Sequence, residues 1–200
     1  MDKQEVELRA TVPLKSKLSL INKISELSKK VEKISKIIDV YYAPISAKSM
    51  DDIPMNDIGS FSLRIRISNN SVLNVKSITN FGDHNAWDEV ESEIDSPIAI
   101  NRILKVLGFS PFCRLVKTRT SYIIDNECRI EIDDIEKYGI VIEIEQIVNK
   151  DRVDEAKKKN QQIFEQLGII KEYMVPRTAT EEYMKKFAFK ETLSDEMLFN

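Results

Sequence analysis

Apolar and polar residues alternate along eight stretches of the chain, and this period of two is typical of β-strands. The predicted strands cover residues 4–10, 38–44, 60–67, 72–79, 86–94, 112–122, 126–133 and 139–147. Asn69-Asn70 and Asp125-Asn126 each separate two consecutive strands, and these residue types favour tight reversals. Because tight reversals join antiparallel neighbours, the pattern predicts an antiparallel sheet.

Apolar residues recur every three to four positions in four other stretches, which predicts α-helices. The predicted helices run from Leu14 to Ile37, from Ser96-Pro97 to Gly108, from about Arg152 to Leu167, and onward from Thr180. Serine before proline is a typical helix start, and glycine a typical end. We therefore expect an α+β protein of one domain over residues 1–200, with a core at about 1–148 and a helical tail at about 150–200.

The charged residues of the predicted strands fall on one face, because successive strand residues point to opposite faces. This face holds Glu5, Glu7, Arg9, Arg64, Arg66, Lys76, Glu89, Glu91, Glu93, Lys117, Arg119, Arg129, Glu131, Asp133, Glu143 and Glu145. A sheet face in water usually mixes Thr, Ser, Gln and Lys, whereas this one carries almost only ions. We expect Arg129 and Glu131 to form an ion pair of their own.

The repeated Glu-x-Glu pattern suggests a metal-binding surface. Carboxylates two residues apart on a strand lie about 6–7 Å from each other and repel. A divalent cation removes that repulsion, since Mg²⁺ and Mn²⁺ favour oxygen ligands, while Arg and Lys bind phosphate. The face thus suits a polyanion that arrives with metal. Eight strands can close into a barrel with a charged interior, but a flat sheet with one face in water explains the same alternation.

Composition narrows the class of partner. The chain has 200 residues, of which 33 are acidic and 30 basic, and this near-balance argues against binding nucleic acid by bulk charge. Its apolar runs are too short to span a bilayer. Two cysteines, Cys113 and Cys128, make no disulfide framework, so we expect a reduced cytoplasmic setting. With only 5 glycines the chain has no Gly-rich phosphate loop, so side chains must bind any phosphate.

Several short motifs follow one another in a recognisable order. They are Glu5-Val6-Glu7-Leu8-Arg9, Asp39-Val40-Tyr41-Tyr42, Arg64-Ile65-Arg66, Lys76, Lys117-Thr118-Arg119, and Asp133 with Gly139, Glu143 and Glu145. From Glu5 to about Glu145 the chain resembles the CYTH superfamily of triphosphate tunnel enzymes. That superfamily includes class IV adenylyl cyclases, thiamine triphosphatases and inorganic triphosphatases.

The resemblance implies a fold and a set of roles. The fold would be an eight-stranded antiparallel closed β-barrel, the triphosphate tunnel, with helices packed outside. Residues implied to hold Mg²⁺ or Mn²⁺ are Glu5, Glu7, Glu91, Asp133, Glu143 and Glu145. Residues implied to bind the triphosphate are Arg9, Arg64, Arg66, Lys76, Lys117 and Arg119. Residues implied to be catalytic are Lys76, Arg119 and Asp133.

The resemblance leaves the reaction open. A cyclase converts ATP to cyclic AMP and pyrophosphate, whereas a triphosphatase hydrolyses thiamine triphosphate, a nucleoside triphosphate or tripolyphosphate. The layout around the second predicted helix favours the cyclase, although the His-Phe element that precedes the first motif in some class IV cyclases is absent before Glu5. Arg9 stands where lysine is usual in the family. A non-catalytic polyphosphate-binding module would need the bases but has little use for the acids, and a structural domain would need neither. A homodimer is compatible with the resemblance. Arg177 and Lys185 in the tail are either surface charges or part of a tunnel closure.

Overall fold

The described residues of the computed structural model, 3–53, 60–78, 86–174, 179–190 and 194–200, form eight β-strands and five α-helices. The strands are β1 (Lys3–Val12), β2 (Lys30–Pro44), β3 (Phe61–Ile67), β4 (Ser71–Ile78), β5 (Ala86–Glu93), β6 (Phe109–Ile123), β7 (Cys128–Ile135) and β8 (Gly139–Asn149). The helices are α1 (Lys17–Leu27), α2 (Pro97–Val106), α3 (Val153–Leu167), α4 (Ala179–Phe187) and α5 (Asp195–Phe199). All registered strand pairs are antiparallel, so the predicted α+β class and antiparallel pairing are confirmed.

The first predicted helix is wrong in its second half. Helix α1 ends at Leu27, Ser28 has an extended backbone, and residues 30–37 belong to strand β2. This stretch is rich in Val and Ile, whose branched side chains favour strands. Next to it, the Lys29 amide donates to the carbonyl of Ile123 at 2.8 Å. Backbone pairing therefore decides the conformation here, although the apolar residues also fit a helical spacing.

The Cα positions group the chain into two compact units. The first unit comprises Met1–Ser35, Asp83–Trp87 and Lys117–Ala179, and the second comprises Lys36–Gly82, Asp88–Val116 and Thr180–Asn200. Strands β2 and β6 each contribute residues to both units. The single domain expected over residues 1–200 stays a prediction. No described helix has the length and apolar character that a membrane crossing requires.

The first unit has a sheet with two unlike faces. Strand β1 pairs with β8 along its whole length, from Lys3 opposite Asn149 to Val12 opposite Ile140, and β8 pairs with β7, which pairs with β6. One face is apolar and packs on α1 and α3, with Phe164 fully buried in that core. The other face carries charged side chains. The helices therefore pack on the apolar face of the sheet and not on the charged face.

The second unit repeats this division. Strand β3 pairs with β2 on one side and β4 on the other, and the apolar face contains Val40 and Ile65. Leu104 of α2 and Leu198 of α5 pack in the same core. Helix α2 begins as predicted, since the Ser96 hydroxyl accepts from the Ala99 amide at 3.2 Å. Helix α5 has only five residues and was not predicted, because so short a stretch shows no period.

Candidate active site

The charged face of the first unit gathers residues from four strands. We call this group the first charged cluster, and it comprises Glu5, Glu7, Arg9, Lys117, Arg119, Glu131, Asp133, Glu143 and Glu145. The strand register sets Arg9 opposite Glu143 and Arg119 opposite Asp133. Because every member occupies an alternate position of its strand, the cluster follows directly from the period-two pattern.

Arg119 is the centre of this cluster. Its Nε donates to Asp133 Oδ1 at 2.7 Å, and its Nη2 donates to Asp133 Oδ2 at 2.6 Å and to Glu143 Oε2 at 2.9 Å. It also pairs with Glu131. Lys117 Nζ donates to Asp133 Oδ2 at 2.5 Å. One guanidinium and one ammonium thus bind three carboxylates in a region where Asp133 is 1% exposed.

Arg9 links β1 to the same network. Its Nε donates to Glu143 Oε1 at 2.6 Å, and it also pairs with Glu7. Burial alone would raise the pKa of Glu143, but Arg9, Arg119 and Lys117 outweigh it and hold that pKa well below its usual value. The pKa of Asp133 is likewise lowered, because Arg119 and Lys117 outweigh its burial. Both carboxyl groups are therefore ionised at neutral pH.

The second unit has a charged cluster of its own. This second charged cluster comprises Asp39, Tyr41, Arg64, Arg66, Asn74, Lys76 and Glu89. Asp39 is fully buried, and Arg66 donates to it from Nε at 2.7 Å and from Nη2 at 2.9 Å. Glu89 lies 3.7 Å from Arg64 Nη2 and 3.4 Å from Lys76 Nζ. Here the bases outnumber the acids, so this cluster suits an anion.

Tyr41 lies on the same strand face as Asp39. Burial raises the pKa of its hydroxyl, Asp39 raises it further, and Arg64 and Arg66 lower it only in part. The hydroxyl therefore stays neutral through the physiological range and can donate a hydrogen bond.

The structure thus divides the predicted site residues between the two clusters. Most of them lie in the first charged cluster, while Arg64, Arg66 and Lys76 lie in the second. Glu91 is exposed on β5 in the second unit. Glu131 pairs with Arg119, so the expected Arg129–Glu131 pair is wrong. The functional roles of these residues stay predictions.

Sequence reasoning left five cluster members out of the site. These are Asp39, Tyr41, Asn74, Glu89 and Glu131. The signal for Asp39 and Tyr41 was present, because they alternate with Ile38, Val40 and Tyr42 on a predicted strand. Their burial could not be predicted from the sequence, since a lone acid in a strand is usually exposed to water.

The carboxylates of the two clusters are the candidate ligands for Mg²⁺ or Mn²⁺. Among the described residues, no group of three or more His, Cys, Asp or Glu side chains is arranged to hold a metal ion. The register does set Glu7 directly opposite Glu145 on the charged face. Mg²⁺ is usually bound by one or two carboxylates together with substrate phosphates, rather than by a complete protein cage. Glu7 and Glu145 therefore supply the carboxylates that such a site uses.

Comparison with known proteins shows the family of this chain. The family model of the CYTH domain matches residues 3–179, which is most of the chain. The protein therefore belongs to the CYTH family, and the resemblance read from its motifs is confirmed. No curated protein matches the chain.

Solved structures share the fold over nearly the whole chain. PH1819 from Pyrococcus horikoshii OT3 is 26% identical with a TM-score of 0.75, covering 91% of this chain and 99% of its own. A candidate adenylate cyclase from Vibrio parahaemolyticus is 15% identical with a TM-score of 0.73, covering 90% and 98%. HpAC1 from Hippeastrum, a candidate adenylyl cyclase with a dominant triphosphatase activity, is 18% identical with a TM-score of 0.61, covering 92% and 95%.

Proposed function

We propose that the protein is a metal-dependent enzyme acting on a triphosphate, with conversion of ATP to cyclic AMP and pyrophosphate as the first reaction to test. The observation that carries the proposal is the first charged cluster. Its Arg and Lys side chains are largely buried and donate to carboxylates, in geometry that also matches phosphate oxygens. A purely structural sheet face gains nothing from burying so many charges, because desolvation is costly.

The proposal includes closure of the sheet into a tunnel lined by the charged faces. Strand β1 has a neighbour on both edges, since it pairs with β8 over ten residues and with β5 at Glu5 and Val6. A strand paired on both sides is not an edge, as closure requires. Membership of the CYTH family is the second support.

In the proposed reaction the bases bind the triphosphate. Arg9, Lys117 and Arg119 of the first cluster exchange carboxylate contacts for phosphate oxygens, and Arg64, Arg66 and Lys76 of the second cluster bind phosphate as well. The carboxylates proposed to hold the cation are Glu5, Glu7, Glu91, Asp133, Glu143 and Glu145. A bound Mg²⁺ or Mn²⁺ neutralises charge on the phosphates.

Lys76, Arg119 and Asp133 are the proposed catalytic residues. Lys76 and Arg119 stabilise the charge that develops on the phosphoryl group and the leaving group, and Asp133 holds Arg119 in place through two hydrogen bonds. In the cyclase reaction the ribose 3′-hydroxyl gives up its proton to water, and its oxygen attacks the α-phosphorus. The bond from that phosphorus to the bridging oxygen breaks, and pyrophosphate leaves with the electron pair.

Triphosphatase activity is the second candidate. Water then attacks the terminal phosphate, and the same bases stabilise the same kind of charge. HpAC1, which shares the fold, has a dominant triphosphatase activity. This supports testing triphosphatase activity in the same assay as cyclase activity.

One set of incubations distinguishes the cyclase from the triphosphatase. The protein is mixed with Mg²⁺ or Mn²⁺ and, separately, with ATP, thiamine triphosphate and tripolyphosphate, and the products are identified by chromatography. Cyclic AMP establishes the cyclase, and orthophosphate without cyclic AMP establishes the triphosphatase. Binding of a triphosphate without turnover leaves a binding module and contradicts both enzymes.

Arg119→Lys tests the role of the first charged cluster. Lysine keeps the charge but loses the planar fork that contacts Asp133 and Glu143, so we expect kcat/KM to fall by about 100-fold, the scale of one oriented donor. Arg152→Lys is the matched control, because Arg152 forms a largely exposed pair with Glu127. Equal activity of the two variants would exclude this role for Arg119.

A further inference from the structure

Two buried amide side chains lie on the apolar side of the first unit's sheet. Gln146 of β8 is 2% exposed, and Asn160 of α3 is fully buried. Gln146 Nε2 donates to Asn160 Oδ1 at 2.6 Å and to the carbonyl of Ala156 at 2.9 Å. Because the Asn160 oxygen accepts from Gln146, its amide nitrogen must face the opposite way.

The amide nitrogen of Asn160 contacts two different strands. Its Nδ2 lies 3.2 Å from the carbonyl oxygen of Val6 on β1 and 3.4 Å from that of Ile144 on β8. Both oxygens are acceptors, so a single side chain from α3 joins the two strands by hydrogen bonds. Helix α3 packs against both strands along this line, which keeps the bridge out of water.

The bridge coincides with a point of charge repulsion. Val6 is flanked by Glu5 and Glu7, and Ile144 by Glu143 and Glu145. Glu7 is the register partner of Glu145, so two carboxylates stand opposite each other on neighbouring strands. Like charges in this position destabilise a strand pair, and the ion pair of Arg9 with Glu7 offsets part of that repulsion. The two carbonyls held by Asn160 lie diagonally on either side of this acid pair.

We propose that Asn160 is a positioning residue that fixes the backbone of β1 and β8 behind Glu7 and Glu145, the facing acids proposed to share a divalent cation. Gln146 acts one step further away, by fixing the orientation of the Asn160 amide. The identity of the ligand as a divalent cation rests on the proposed function. The bridge itself rests on the four hydrogen bonds.

A purely structural role predicts something different. If Asn160 only anchors α3, its loss lowers stability and leaves cation affinity unchanged in the folded protein. If it positions the acid pair, cation affinity falls even under conditions where the variant is fully folded. Partners that orient metal ligands typically change metal affinity 10–100-fold when they are removed.

Four variants separate these roles. Asn160→Leu removes the bridge at similar volume. Gln146→Met leaves the bridge in place but removes the hydrogen bond that orients it, together with the bond to the Ala156 carbonyl. Gln161→Met is the surface control on the same helix, since Gln161 is exposed. Ile163→Val is the core control, because Ile163 packs in the same core without bonding either strand. For each, the dissociation constant of Mn²⁺ alone is measured by water proton relaxation, with thermal unfolding followed in parallel.

We expect Mn²⁺ to bind Asn160→Leu about tenfold more weakly than the wild type and Gln146→Met more weakly by a smaller factor. Both controls should keep wild-type affinity, even though Ile163→Val unfolds at a lower temperature. Wild-type affinity in both amide variants would overturn the proposal and leave the proposed function standing. Should Asn160→Leu fail to fold, Gln146→Met decides in the same way.

The wild-type protein separates this inference from the function. Mn²⁺ binding without turnover of any triphosphate contradicts the enzyme, while the variant comparison still decides the role of Asn160. A wild-type protein that turns over triphosphate but binds no Mn²⁺ overturns the positioning role alone. Absence of both binding and turnover overturns both.

Discussion

Single residues in this protein carry unusually many ionic contacts. Asp39 is fully buried and accepts two hydrogen bonds from Arg66, with Arg64 3.8 Å away. A buried ion pair contributes little net stability, because desolvation offsets the attraction. Removing one partner is a different matter, since the other charge is left buried without compensation. Such residues are therefore sensitive to substitution whatever their role in catalysis.

Asp39→Asn should lower the free energy of unfolding by about 3 kcal/mol, because the Arg66 guanidinium loses its buried counter-charge. Asp134→Asn is the matched control. Asp134 pairs with Lys17 at 2.8 Å, with side chains that are 47% and 32% exposed. Water screens that pair, so we expect less than about 1 kcal/mol. Urea unfolding of both variants measures the difference, and similar losses would contradict the argument.

The two cysteines illustrate burial without pairing. Burial raises the pKa of the Cys113 thiol to about 12 and that of Cys128 to about 11. The thiolate is the reactive form, so neither cysteine should react with Ellman's reagent near about pH 8 in the folded protein. Both should react at once after unfolding in guanidinium. Rapid reaction of the native protein would show that one of these sites opens.

At the scale of elements, turns and helices hold the strands in register. Asp125 lies in the turn between β6 and β7, where its Oδ1 accepts from the amides of Glu127 and Cys128, both at 2.9 Å. Its Oδ2 accepts from Lys159 of α3 at 2.7 Å. Burial would raise the pKa of Asp125, but Lys159 and the two amides lower it overall. One carboxylate thus fixes a turn and fastens a helix to it.

Asp125→Asn should destabilise the protein by about 1 kcal/mol at neutral pH, because the charged partner of Lys159 is lost. The lowered pKa of Asp125 means that its contribution is fully present above its ordinary value of 3.8. That contribution disappears as the pH falls through the lowered value in the folded protein. The difference in the free energy of unfolding between wild type and variant should therefore disappear in acid. Urea unfolding across a pH series checks this.

The elements also show how far the sequence could be read. Alternation in β1, β3, β6, β7 and β8 was clear enough to place both charged faces. Residues 30–37 were misread because their apolar spacing fits a helix, and only pairing with a distant strand decides otherwise. The bridge of Asn160 could not be predicted, since an asparagine in an amphipathic helix is expected on its wet side. The features that the sequence did not predict depend on long-range contacts, and local conformational preference does not reveal them.

At the scale of the molecule, each unit has its own apolar core and its own charged cluster. The first cluster is rich in acids and the second in bases, although the whole chain is nearly balanced, with a net charge of −3. The last helix belongs to the core of the second unit through Leu198, which is 1% exposed. Asp195 fastens the same helix to Lys105 and Asn101 of α2, both at 2.9 Å.

Leu198→Ala should lower the free energy of unfolding by about 3 kcal/mol, because it leaves a cavity in the core of the second unit. Hydrogen exchange should show faster exchange in α2 and β3, whose residues line that core. Met197→Ala is the neighbouring control, since Met197 is 58% exposed. Equal effects of the two substitutions would place the last helix outside the core.

Pairing of β1 with β8 has a consequence for biosynthesis. Strand β1 leaves the ribosome before the other seven strands described, and it finds its full-length partner only after Asn149 has been made. At about 5–20 residues per second, that delay is roughly 7–30 seconds. During this time β1 exposes unpaired backbone groups beside its Glu and Arg side chains. Those charges discourage pairing with the wrong chain, so residues proposed to bind metal and triphosphate should also limit aggregation of the nascent protein.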